Sequence, residues 1–76
     1  MDEIKIGDYF LDLGTYISRY KGDVGVIIEI YKKQEYYKIK WIKTTGDVGI
    51  VKNYFIKTIK KHFRKITKQD AMLELL

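Results

Sequence analysis

The sequence predicts a mainly β domain of five short strands followed by a short C-terminal helix. Three observations carry that prediction. The chain is rich in Ile, Val, Tyr, Phe, Thr and Trp, residues that suit a pleated and half-buried surface. Turn signals recur at Gly7-Asp8, Gly14-Thr15, Gly22-Asp23 and Gly46-Asp47, spaced for short strands, and proline is absent. Two central segments alternate in phase, Val26, Ile28 and Ile30 in one and Tyr37, Ile39 and Trp41 in the other.

The elements follow in order. A first strand is expected over Tyr9–Leu13, continuing past Gly14 through Tyr16–Arg19. A second runs over Val24–Tyr31, a third over Tyr36–Lys43 and a fourth over Val48–Lys52. The loop Lys32-Lys33-Gln34-Glu35 is short enough to make the middle pair a hairpin. With Tyr31 opposite Tyr36, Ile30 faces Tyr37, Ile28 faces Ile39 and Val26 faces Trp41 on the inner side. Outside, Glu29 faces Lys38 and Ile27 faces Lys40. A slip of one residue would turn Trp41 to water and Lys40 inward, so the register is well specified.

Residues 53–67 admit two readings. Phe55, Ile59, Phe63 and Ile66 fit a helical stripe with Asn53 in cap position. The same segment divides into a helical turn over Tyr54–Thr58 and a strand over His62–Ile66. The need of a small barrel for a fifth strand favours the division. Thr67-Lys68-Gln69-Asp70 resembles a capping box, with Asp in place of Glu, and opens a short helix through Ala71–Leu76. The chain is therefore one domain, 1–76, with a barrel over about residues 4–67 and a helix over about 68–76.

Composition excludes several classes. The 76 residues contain no Cys and one His, so disulfide staples and the usual zinc ligand sets are not expected. Hydrophobic residues make up 46% and charged residues 33%, the balance of a folded domain. No apolar run approaches the roughly 20 residues of a membrane span. The opening Met1-Asp2-Glu3-Ile4-Lys5 lacks the order of a signal peptide, so a cytoplasmic location and no membrane partner are expected.

Charge is unevenly placed. Residues 1–31 carry a balance of −3, residues 32–68 a balance of +10, and the last eight residues −2. Such a field attracts polyanions over a Debye length of about 8–10 Å. Lysine outnumbers arginine thirteen to two, a bias that an AT-rich gene can supply by itself, although not its avoidance of the first 31 positions.

A six-residue pattern repeats: Gly22-Asp23-Val24-Gly25-Val26-Ile27 returns as Gly46-Asp47-Val48-Gly49-Ile50-Val51. It reads as one turn solution used twice, with the second Gly admitting a close neighbour or a bulge. A phosphate cradle is disfavoured, because neither copy has a Gly-Lys-Ser/Thr end that opens a helix.

Within this frame Tyr20–Ile30 resembles the KOW motif, a glycine turn leading into a strand of alternating apolar residues. Tyr37–Ile42 with Thr45-Gly46-Asp47 is similar to the third strand and turn of Tudor-like modules. The resemblance spans about residues 4–60 and implies a small five-stranded SH3-like barrel. KOW-type domains occur in ribosomal proteins and elongation factors, so the resemblance implies contact with nucleic acid or its machinery. No ribosomal or elongation-factor signature surrounds the motif. A stand-alone AT-rich gene of this size points to a phage or mobile-element product.

Enzymatic chemistry finds little footing. His62 has no nearby nucleophile, Ser18 is the only serine, and Asp8 with Asp12 supplies too few oxygens for a calcium site. The protein is expected to be non-catalytic, without metal or cofactor. The candidate nucleic-acid surface has two parts. Lys38 and Lys40 lie on the outer hairpin face beside Tyr31 and Tyr36, with Lys32 and Lys33 in the loop. Lys57, Lys60, Lys61, Arg64, Lys65 and Lys68 form a second basic cluster. Lysines neutralise phosphates and tyrosine rings stack on unpaired bases.

Against this, the tyrosines can simply brace the hairpin while the lysines keep strand edges soluble. That alternative weighs more for the tyrosines than for the C-terminal lysines. Trp41 shares its face with Ile39 and Tyr37 and is expected in the core. The expected partner is nucleic acid, DNA or RNA, bound with little sequence preference. The alternatives are a module that binds an acidic protein surface and an assembly protein that oligomerises through its sheet edges.

Overall fold

Runs of β-branched and aromatic residues build five strands in the computed structural model of the chain, which describes residues 3–15, 22–43 and 49–76. In order they are β1 (Tyr9–Asp12), β2 (Val24–Tyr31), β3 (Tyr36–Lys43), β4 (Val51–Phe55) and β5 (Phe63–Ile66). Helix α1 (Ile56–His62) joins β4 to β5, and α2 (Lys68–Glu74) ends the chain. One antiparallel sheet, ordered β4-β3-β2-β1-β5, curls into a half-barrel. Its edges are β4 and β5, and α1 packs against both. The expected mainly β class, five strands and C-terminal helix are all present.

The concave side of the sheet holds Ile4, Phe10, Ile27, Ile39, Trp41, Tyr54, Ile59 and Phe63 in one core. Each large side chain removed from water here contributes roughly 1.5–3 kcal/mol. Three rings meet edge to face: Trp41 lies 6.0 Å from Tyr54 and 5.3 Å from Phe63, and Tyr54 lies 5.2 Å from Phe63. Trp41 Nε1–H donates to Tyr54 Oη at 3.0 Å, so the buried indole keeps a polar partner. Trp41 is a core residue, as its strand face predicts.

The hairpin register holds near the turn and changes beyond it. Tyr31 faces Tyr36, Ile30 faces Tyr37 and Glu29 faces Lys38, as expected. Ile28 is then an extra residue, a β-bulge, so that Ile27 rather than Ile28 lies opposite Ile39. Ile27 is accordingly buried and Ile28 only half-buried. Trp41 faces Gly25, not Val26, and Val26 faces Lys40. A second shift, before Gly25, leaves Ile42 as the extra residue of β3.

Space around the indole explains the change. A Cβ on Gly25 would stand 2.4 Å from Ile39 Cγ2 and 3.0 Å from Trp41 Cε3. Any residue but glycine opposite Trp41 would collide with the core. The second glycine of the repeated Gly-Asp-Val-Gly pattern serves differently in its two copies, while Gly46-Asp47-Val48 of the second copy lies outside the described residues. Gly25 is an extended strand residue under the indole, whereas Gly49 adopts φ +87° in the turn before β4. That turn is tied to β3 through Gly49 N–H to Trp41 O at 2.8 Å and Trp41 N–H to Ile50 O at 2.9 Å.

Other expectations shift by a few residues. The fourth strand lies at Val51–Phe55 instead of Val48–Lys52, because Gly49 turns the chain and Tyr54 must face Tyr37 to enter the core. The first strand ends at Asp12, and its expected continuation over Tyr16–Arg19 lies outside the described residues. Residues 53–67 divide into helix and strand, with the helix at Ile56–His62 and the strand beginning at Phe63. Asn53 is a β4 residue and not a cap; Phe55 occupies the N-cap position of α1 without a side-chain hydrogen bond. Thr67 does cap α2, its Oγ1 accepting the Asp70 N–H at 3.0 Å. Among the described residues no helix is long and apolar enough to cross a membrane.

Candidate nucleic-acid interface

Strand alternation puts every second residue of β2, β3 and β4 on the convex side of the sheet. At the turn end this side carries Tyr31, Tyr36 and Phe55 in one row, because Tyr36 pairs with Tyr31 on one flank and Phe55 on the other. The Tyr31 and Tyr36 rings are 4.7 Å apart, and those of Tyr36 and Phe55 are 6.5 Å apart. The tyrosines are half-buried, whereas Phe55 is 61% exposed at the sheet edge.

The next row on this face is Glu29, Lys38 and Asn53, followed by Lys40 beside Val26 and Val51. Lys38 is already engaged. Its Nζ lies 3.8 Å from Glu29 Oε1 and 5.6 Å from the centre of the Tyr31 ring, while the Tyr31 hydroxyl donates to Glu29 Oε2. The hydrogen bond with Tyr31, and then the Glu29 carboxylate, hold the Lys38 ammonium above its ordinary pKa. Lys40 is exposed, as are Lys32 and Lys33 in the turn.

The two basic clusters are not separate in space. Ile56 N–H donates to Glu35 O at 3.0 Å, pinning the start of α1 to the hairpin turn. Lys32 of the turn and Lys57 and Lys60 of α1 thereby line one cleft of about 440 Å³ with Glu35, Tyr37 and Ile56. Lys57, Lys60 and Lys61 share a helix face through i, i+3 and i+4 spacing, with Ile59 anchoring the opposite face in the core.

The rest of the second cluster disperses. Arg64 lines a cleft with Asp70 and Glu74 of α2, an acidic setting for a phosphate contact. Lys65 Nζ forms an ion pair with Asp8 at 3.2 Å. Lys68 lies beside that pair, in a cleft with Gly7, Asp8 and Tyr9. One run of bases in sequence is thus dispersed, and of these Lys57 and Lys60 line the cleft with the hairpin turn.

The remaining candidates take structural places. His62 Nδ1 is 2.7 Å from Thr15 Oγ1, and its carbonyl accepts the Leu13 N–H at 3.0 Å. Asp8 Oδ2 accepts the Lys5 N–H at 2.7 Å in a turn, and Asp12, buried in β1, accepts the Gly14 N–H at 2.7 Å.

Sequence reasoning missed Phe55 as a surface residue, since a helical stripe hides it among core positions. Extending the Tyr31–Tyr36 pairing one strand further would have placed it in the row. Compared with family models, curated proteins and solved structures, the chain gives no significant match.

Proposed function

We propose that this protein is a non-catalytic nucleic-acid-binding module of the SH3-like kind, acting through the convex face and turn of its β2–β3 hairpin. The observation that carries this reading is the row Tyr31, Tyr36 and Phe55, flanked by Lys38 and Lys40 and headed by Lys32 and Lys33. Aromatic faces and ammonium groups together suit a polymer of bases and phosphates. The strand order, with a helix between β4 and β5, supports the SH3-like part of the reading. Lysine rather than arginine at these positions means point-charge contacts and little base specificity.

Anisotropy titrations with labelled DNA and RNA, single- and double-stranded, at two salt concentrations test it. Lys32→Glu combined with Lys33→Glu, both exposed at the turn, is expected to weaken binding and lower the slope of log affinity against log salt by about 1.5. Weak binding, equal for every form and lost with salt, would reject the reading.

A protein-interaction role has its own supporting observation. Met72 and Leu73 of α2, with Leu75 and Leu76 after it, are four successive or near-successive apolar residues that are all at least 40% exposed. Rejection of nucleic-acid binding would direct attention there.

A further inference from the structure

We infer that the hairpin face is built for unpaired bases, with Phe55 and Tyr36 as the stacking platform for a single strand. The inference rests on the nucleic-acid reading and adds the form of the ligand. Phe55 has no hydrogen-bonding group, so it can recognise only an apolar surface or the face of another ring. In a duplex those base faces are occupied by neighbouring bases; in a single strand they are available.

Ring orientation points the same way. The Tyr36 and Phe55 rings are inclined by 32° to each other. Bases seated on both would not lie parallel as the bases of a duplex do, which a single strand permits.

The platform is also accessible. Phe55 ends the edge strand β4, so among the described residues no further strand shields its outer side, and the ring remains 61% exposed. Tyr31 is differently placed, with the Lys38 ammonium over its ring and its hydroxyl on Glu29. The open half of the row is therefore Tyr36 and Phe55. Lys40 on the same face and Lys32 and Lys33 at the turn supply cations on both sides of it. That charge favours a nucleic-acid strand over an apolar peptide as the occupant.

The test uses the whole chain with a labelled oligothymidylate and a duplex of the same length. The wild type is expected to prefer the single strand. Phe55→Leu, which keeps apolar bulk but removes the ring, should weaken single-strand binding about tenfold, the loss of one stacked base, with duplex binding unchanged. Phe55→Trp should restore or strengthen it. Unchanged far-UV circular dichroism establishes that both variants fold.

Equal losses for both ligands, or no loss for either, would overturn the platform while leaving the nucleic-acid reading intact. A wild type that binds neither ligand above the background of a basic protein would overturn both.

Discussion

The two faces of the β2–β3–β4 ribbon use the same strands for opposite ends. Inward, Ile27, Ile39, Trp41 and Tyr54 share the core, and a single carbon added at Gly25 would collide with Ile39 and Trp41. Outward, Tyr31, Tyr36, Lys38 and Phe55 form a row whose last ring stands mostly in water. The inner face gains by excluding solvent, and every atom there is constrained by its neighbours. The outer face holds groups the fold does not require to be buried. Residues one step apart on a strand therefore answer to different demands, close packing on one side and contact with solvent on the other.

The largest test of this contrast is Gly25→Val. The new side chain must displace Ile39 and the Trp41 ring, and the expected loss is about 3 kcal/mol, at the upper end for overpacked cores. For a domain of this size that is a large share of total stability. A urea melt with an unchanged midpoint would show that the inner face has slack.

A smaller effect is expected from Tyr54→Phe. It keeps the ring contacts with Trp41 and Phe63 but removes the acceptor of the indole N–H. The cost should be about 1–2 kcal/mol in the same melt. By contrast, removing the Phe55 ring should affect binding and leave the midpoint nearly unmoved. Equal destabilisation by the two changes would erase the distinction between the faces.

The smallest effect belongs to Lys38. Its pKa is raised in the folded state by Tyr31 and Glu29, so its contribution is fully present below the ordinary lysine value. It should be lost as pH rises through the folded value. Because the side chain is only half-buried and its ammonium is screened by water, the effect is small and is best read as a difference between wild type and Lys38→Met. The difference in melting midpoint should hold from neutral pH to about pH 10 and shrink above it. A difference that grows with alkalinity would mean that the Glu29–Lys38–Tyr31 contact does not operate in solution.

Much of the hairpin was legible from local pattern. The short turn between Tyr31 and Tyr36 allows few pairings, and alternation then puts Glu29 beside Lys38 and Ile30 beside Tyr37. The α2 cap was equally readable, because Thr67 and Asp70 interact within one turn of chain. Local pattern failed beyond Glu29. The bulge at Ile28 answers to the fit of Trp41 over Gly25, and that fit involves Phe63, 22 residues further along the chain. In the candidate site, Tyr31, Tyr36 and Lys38 were visible because they belong to one hairpin. Phe55 was not, since its place in the row depends on where β4 begins, which the positive φ of Gly49 and the burial of Tyr54 decide together.

The sequence by itself determined what depends on neighbours along the chain: the two strands of the central hairpin and the turn that sets it, the capped final helix and the excess of positive charge after residue 31. Tertiary structure decided which lysines lie together. Lys32 meets Lys57 and Lys60 because Glu35 O binds Ile56 N–H, while Lys65 is drawn to Asp8 across the β1–β5 pair. It also decided which aromatic rings face water. Coulomb forces and ring contacts act through space, and only the curl of the sheet sets those distances.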